Sequence, residues 1–286
     1  MRQGSRRGGR FTVKSKEPQL DLAFFFLEKL HSNWLPVRGG ESGYIVFQRA
    51  DAQAYAKIAP AAHRTELTEE RDRLIWLQGR GVACPEVISW REEQEGACLV
   101  MTAIPGVPAA DLSGSDLLKA WPSMVEQLNA VHGLSPEECP FERRLSGMFA
   151  RAVDVVSRNA VRPDFLPDED KHTPQPDLLA RIERELTVRL EQESTEFTVC
   201  HGDPCMPNFM VSAETLQCTG LIDLSRLGKA DRYADLTLMI ANADESWTSA
   251  EEAKRAFDIL FTSLGIDAPD RERLAFYLRL DPLTWG

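Results

Sequence analysis

The sequence predicts an α+β protein with a small β-rich N-terminal lobe and a larger, mainly helical C-terminal lobe. Three observations carry this. Short runs with alternating apolar and polar residues dominate up to residue 104; past Ile104-Pro105-Gly106 the apolar residues recur at helical spacing; and late in the chain short apolar strands flank two turns that carry aspartates. The 286 residues suit one bilobal unit. The expected boundaries are a leader at 1–30, a first lobe at 31–104 and a second at 105–286.

The leader stands apart by charge. Residues 1–16 hold Arg2, Arg6, Arg7, Arg10, Lys14 and Lys16 and no acid. Setting those six aside leaves 27 Lys and Arg against 44 Asp and Glu, a balance of −17. Residues 20–30 include three consecutive Phe, interrupted by Asp21, Glu28 and Lys29. That is a poor signal-peptide core and reads as an amphipathic helix. The whole leader is expected to be disordered or peripheral.

In the first lobe, residues 44–49 and 54–58 alternate around a turn at Ala50-Asp51, and 87–90 and 97–102 flank an acidic turn, as hairpins would. Between them, residues 65–78 carry Leu67, Leu74, Ile75 and Leu77 and stop at Gly79 and Gly81, predicting one inserted helix. In the second lobe Leu117, Leu118, Trp121, Val125, Leu128 and Val131 predict a long helix; 178–190, 234–243, 251–264 and 271–280 read as helices too. Strands are expected only at 197–200, 208–211 and 218–222.

Composition excludes some functions. A formal net charge of −11 argues against nucleic acid as a partner, because phosphate backbones are bound by Lys and Arg. No run is apolar enough to span a membrane. Six cysteines with no CxxC pair read as reduced thiols, which places the protein in the cytoplasm.

The strongest chemical signal is His201-Gly202-Asp203-Pro204-Cys205-Met206-Pro207-Asn208, set between two apolar strands, with Ile222-Asp223-Leu224 about fifteen residues on. Phosphoryl transfer needs a carboxylate to orient and deprotonate a hydroxyl, with oxygen ligands for Mg2+ beside it. Asp203 followed by Asn208 reproduces the spacing of the protein-kinase loop H-R-D-x-x-x-x-N, and Asp223 stands where the metal-binding Asp of D-F-G would be. Either half alone could be an ordinary turn; both in order point to catalysis by Asp203 with Asn208 and Asp223 as metal ligands. His201 is expected to orient the loop. Upstream, Lys57 on a strand is placed to reach ATP phosphates. Glu70 on the following helix is placed to pair with it, with Glu66 and Glu69 as rivals. Arg38-Gly39-Gly40-Glu41-Ser42-Gly43 can turn tightly over phosphates, which nominates Ser42; no Gly-Lys-Ser/Thr follows, so it is not a Walker loop. Thr102 and Ile104 are nominated by position alone as the hinge backbone that meets adenine.

The run Ile222-Asp223-Leu224-Ser225-Arg226-Leu227-Gly228-Lys229-Ala230-Asp231-Arg232-Tyr233-Ala234-Asp235-Leu236 resembles the I-D-x-G-x-x-G-x-A-D-x-x-x-D pattern of the aminoglycoside phosphotransferases. The resemblance covers residues 34–286. At 34–43, 72–88 and 276–286 it is closest to the streptomycin 3''-phosphotransferases. It implies a protein-kinase-like bilobal fold with its hinge near 102–106, ATP and Mg2+ in the cleft, and streptomycin as the phosphate acceptor. It also implies an acid-lined acceptor site partly closed by the C-terminus, with Asp281 as a carboxylate that contacts the cationic substrate and Asp231 and Asp235 as further candidates. Ser225 stands where the family has Gly, which would cost stability if that position needs a positive φ. Gly202 and Cys205 replace residues that protein kinases use for loop regulation and acceptor contact, pointing to a constitutive small-molecule kinase. The rivals are a kinase of the same fold for another cationic or polyhydroxy metabolite, such as choline or a different aminoglycoside, and a nucleotide-binding pseudokinase. Intact Lys57, Asp203, Asn208 and Asp223 argue against the latter.

Overall fold

The computed structural model describes residues 17–30, 32–37 and 44–286. The described chain divides into two compact units: the residues up to Thr68 with Val87–Ala103, and Glu69–Glu86 with Ile104–Gly286. One unit change falls at Ala103/Ile104, and Glu69–Glu86 goes with the second unit.

The first unit is built on a five-stranded antiparallel sheet. Its strands are β1 (Trp34–Pro36), β2 (Ile45–Arg49), β3 (Ala54–Pro60), β4 (Val87–Glu92) and β5 (Gly96–Thr102), in the order β1-β2-β3-β5-β4. The alternation read from the sequence sets the faces, since successive side chains point to opposite sides. Ala54, Ala56 and Ile58 of β3 turn to one side and join Phe47, Cys98 and Val100 in a core. Lys57 turns to the other side, opposite Leu99 of β5.

Helix α1 (Glu17–Glu28) covers that core. Ala23 and Phe26 are buried within it, while Phe24 is exposed. The amphipathic helix expected near 20–30 is therefore present. Ala23 and Phe26 are core side chains of the first unit, so α1 packs on its sheet. We expect Phe26→Ala to destabilise the protein by about 3–5 kcal/mol, the usual cost of emptying a Phe site. Chemical denaturation measures it, and a loss under about 1 kcal/mol, small for a buried Phe, would show that α1 only rests on the sheet.

Helix α2 (Arg64–Leu77) begins in the first unit and ends in the second, matching the inserted helix. The second unit continues with β6 (Val107–Pro108), α3 (Gly114–His132), α4 (Leu145–Ser157), α5 (Gln175–Thr195), β7 (Phe197–Cys200), β8 (Phe209–Val211), β9 (Cys218–Leu221), β10 (Gly228–Asp231), α6 (Arg232–Ala243), α7 (Ala250–Ser263) and α8 (Arg271–Leu280). Ser113, Asp231, Ser249 and Asp270 cap α3, α6, α7 and α8 by accepting a backbone N–H two or three residues on. Trp121 Nε1–H donates to Ala256 O at 2.9 Å and Thr237 Oγ1–H to Leu274 O at 3.1 Å, tying α3 to α7 and α6 to α8. Strands β1, β6 and β10 and helix α4 were not expected. β1 and β6 are only three and two residues long, too short for periodicity to show. No described helix is long and apolar enough to cross a membrane.

Candidate active site

Two small sheets of the second unit bring the aspartate-bearing turns together. β7 pairs with β10, matching Cys200 with Gly228, so the chain leaving β7 enters the turn at His201 beside the segment that follows Asp223. β8 pairs with β9, matching Phe209 with Leu221. Asn208 precedes the first of these strands and Asp223 follows the second, and Ile222 N–H donates to Asn208 O at 2.9 Å. The hairpin register thus sets Asn208 beside Asp223.

The loop itself is held from within and from below. Asn208 Nδ2–H donates to Asp203 O at 2.8 Å, and Asp203 N–H donates to His201 Nδ1 at 3.2 Å. His201 is fully buried. Burial holds its imidazole below the ordinary range, against the pull of the Asp235, Asp203 and Asp223 carboxylates. A ring that accepts at Nδ1 is the neutral tautomer with its proton on Nε2, so His201 acts here as a hydrogen-bond acceptor that shapes the loop. From below, Asp235 of α6 accepts His201 N–H at 2.7 Å and Gly202 N–H at 2.9 Å, and its Oδ2 lies 3.0 Å from His132 Nε2. Burial would raise the Asp235 carboxyl, but the hydrogen bond and charge of His132 and the loop amides hold it below the usual range. Asn242 Oδ1 takes Met206 N–H at 2.6 Å.

Gly202 is required where it stands. Its φ is +89°, and a Cβ there would lie 2.2 Å from Arg226 O. Gly202→Ala should therefore displace the loop from the Leu224–Arg226 turn and lower turnover by at least tenfold, since small misplacements near the reacting atoms cost about that or more. Steady-state kinetics on the folded variant checks this, and near-normal turnover would show that the close approach is dispensable.

Ser225 introduces no backbone strain. Ser225 lies in a 3-10 turn, and the left-handed residue is Asp223, at φ 57° and ψ 58°. Ser225 Oγ–H donates to Asp223 Oδ1 at 3.3 Å, so the serine supports the carboxylate it follows. Asn208 commits its amide N–H to Asp203 and keeps its side-chain oxygen; Asp223 brings a carboxylate. Such hard oxygen donors on adjacent strand ends suit Mg2+. Burial and the neighbouring Asp203 push the Cys205 thiol up, so it is no nucleophile. His132, Cys200 and Asp235 bring ligand atoms within 4.8 Å of one another. Burial, then the charges of Asp235 and Asp231, keep the Cys200 thiol protonated. Asp235 is committed to the loop, so this cluster is an anchor.

Among the residues expected to meet nucleotide, Lys57 is buried on β3, its Nζ 4.7 Å from the Tyr44 ring centre. Thr102 ends β5, and Ile104 opens the second unit. Glu70 is buried on α2; Glu66 is instead bonded to Tyr44 at 2.9 Å and Glu69 paired with Arg73 at 3.2 Å, both mostly exposed. That leaves Glu70 as the buried acid of the three. Ser42 and its glycine-rich run lie outside the described residues.

Two acceptor-site candidates are corrected. Asp231 and Asp235 are fully buried. Asp231 caps α6 and pairs with Arg273 Nε at 2.6 Å, and Asp235 holds the loop, so neither faces a substrate. Asp281 is in a different setting. Its Oδ1 lies 3.6 Å from Arg226 Nη1 and 3.8 Å from Arg143 Nη2, and its Oδ2 accepts Trp285 Nε1–H at 3.1 Å. His132, Asn242, Arg143, Arg226 and Trp285 had no local signal, because each earns its role from a partner far along the chain.

The chain matches the model of the phosphotransferase enzyme family over residues 33–277. It is 49% identical over 254 residues to the streptomycin 3''-kinase of Streptomyces griseus, covering 89% of this chain and 93% of that one. It is 35% identical to an aminoglycoside 3'-phosphotransferase of Streptomyces fradiae, covering 88% and 95%. Among solved structures it is similar to aminoglycoside phosphotransferase APH(3'')-Id from Streptomyces rimosus, with 44% identity, a TM-score of 0.87, and 94% and 99% of the two chains covered. The same protein has been solved in complex with ADP and streptomycin, where the TM-score is 0.86 over 93% and 99%.

Proposed function

This chain belongs to the phosphotransferase enzyme family, and from that premise we propose that it transfers the γ-phosphoryl group of ATP to the 3''-hydroxyl of streptomycin and so gives resistance to the drug. The observation that carries the substrate is the near full-length likeness to the streptomycin 3''-kinase of Streptomyces griseus. The loop geometry supports the chemistry. Asp203 accepts the hydroxyl proton as the oxygen attacks the γ-phosphorus, and ADP leaves in line. Asn208 and Asp223 would hold Mg2+, which when bound neutralises charge on the phosphate oxygens. Lys57 is assigned to the phosphates, Glu70 to the support of Lys57, Ser42 to the phosphate turn, and Thr102 and Ile104 to adenine. Asp281 is assigned to the cationic acceptor. The added phosphate carries roughly −1.5 to −2 charge at neutral pH and opposes binding of the polycation to RNA. Six free cysteines fit a reducing cytoplasm.

Mass spectrometry of streptomycin incubated with the protein, ATP and Mg2+ tests this. The expected product has gained one phosphoryl group. If streptomycin is recovered unchanged while another aminoglycoside or choline is phosphorylated, the substrate assignment fails and the kinase reading stands.

A further inference from the structure

Asp281 belongs to a cluster whose ion pairs stand open. One carboxylate faces two guanidinium groups, those of Arg226 and Arg143, and neither contact is a hydrogen bond. Asp281 Oδ1, Arg226 Nη1 and Arg143 Nη2 are all buried atoms with no hydrogen-bond partner among the described residues. Around Arg226 the surroundings are those a guanidinium selects. Its Cζ lies 4.1 Å from the Trp285 ring centre, Nη2–H donates to Thr284 Oγ1 at 3.0 Å, and the Asp281 carboxylate stands 3.6 Å from Nη1. An indole face, a hydroxyl and a carboxylate thus form a guanidinium nook, and its occupant makes only half of the hydrogen bonds on offer.

We propose that Arg226 is a resident guanidinium that the substrate's own guanidinium displaces, so that Asp281 passes from an internal partner to the acceptor. This rests on the reading of streptomycin, which carries two guanidinium groups, as the substrate. Exchange is favoured over simple addition, because a third cation beside Asp281 would meet two guanidinium groups already there.

Arg226 is the one that can leave. Its side chain keeps 19% of its exposure against 9% for Arg143. Burial, then the charge of Arg226, lowers the Arg143 guanidinium to about 10, so it is still charged at neutral pH and the two cations repel. A loose pair at 3.6 Å resists displacement weakly, while an incoming guanidinium can satisfy Asp281 Oδ1 with charge-assisted hydrogen bonds.

Calorimetric titration of streptomycin into wild type, Arg226→Gln and Arg226→Lys tests the exchange. Gln can still donate to Thr284 but has no charge to compete, so Arg226→Gln should bind streptomycin about fivefold more tightly, the scale of one weak ion pair. Arg226→Lys should stay near wild type. Unchanged or weaker binding by a folded Arg226→Gln would overturn the proposal and make Arg226 a fixed wall of the site. A second measurement does not depend on that variant folding. Methylguanidinium added to wild type should change the fluorescence that is lost in Trp285→Phe, and should do so more than methylammonium at equal concentration. No Trp285-dependent change would also overturn the exchange. If streptomycin neither binds nor is phosphorylated, the proposed substrate fails, and the methylguanidinium titration still decides whether Arg226 can be displaced.

Discussion

Replacing Asp203 with Asn is expected to cut turnover on streptomycin by about 10²-fold or more while leaving nucleotide affinity nearly unchanged, because general-base steps contribute at least that much. The structure makes this a clean substitution. Two bonds that shape the loop use the backbone of residue 203: Asn208 Nδ2–H donates to its carbonyl, and its N–H donates to His201 Nδ1; its carboxylate meets the Cys205 thiol, a contact that an Asn side chain can keep. An Asn there keeps the size and the loop but cannot take the hydroxyl proton. Single-turnover kinetics with ADP binding measured alongside separates chemistry from affinity. Near-normal turnover by Asp203→Asn would remove the base assignment and leave the fold standing.

Asp235→Ala should lower stability and catalysis together. One buried carboxylate receives the His201 and Gly202 amides and faces His132, so Asp235→Ala strands three polar groups in the interior. Removing one partner of a buried charged network costs about 3–5 kcal/mol. Chemical denaturation should show a loss of that order, and catalysis should fall with it because the loop loses its support. The acid limb gives an independent check. The carboxyl is held below its unfolded value. Its contribution is therefore complete above the unfolded pKa, about 4, and is lost as pH falls through the folded one. Wild type should lose stability on acidification below about pH 4 more steeply than Asp235→Asn. Equal slopes would show that Asp235 carries no such linkage.

Much of the candidate catalytic turn was legible because its organising contacts are short in sequence. Asp203 and Asn208 are five residues apart and bonded to each other. The strands before and after them are apolar enough to announce themselves, and the hairpin that follows brings Asp223 back by register alone. The first sheet was legible for the same reason: alternation decides which side of β3 carries Ala56 and Ile58 and which carries Lys57. Helix α1 could be read as amphipathic, yet what its apolar side covers could not.

The chain alone determined the fold class, the candidate catalytic turn and the family pattern, since these are written in local periodicity and spacing. Tertiary structure decided which charges work inside the protein. Asp231, Asp235 and Asp281 look alike in the sequence, but Asp231 is paired with Arg273, Asp235 is committed to amides more than thirty residues away, and Asp281 is shared by two arginines. It also moved the left-handed conformation to Asp223 and spared Ser225, and it enlisted His132 and Asn242 beneath the loop. The reason is physical. A carboxylate's role depends on whether water or a fixed partner solvates it, and that is set by packing between segments distant in the chain.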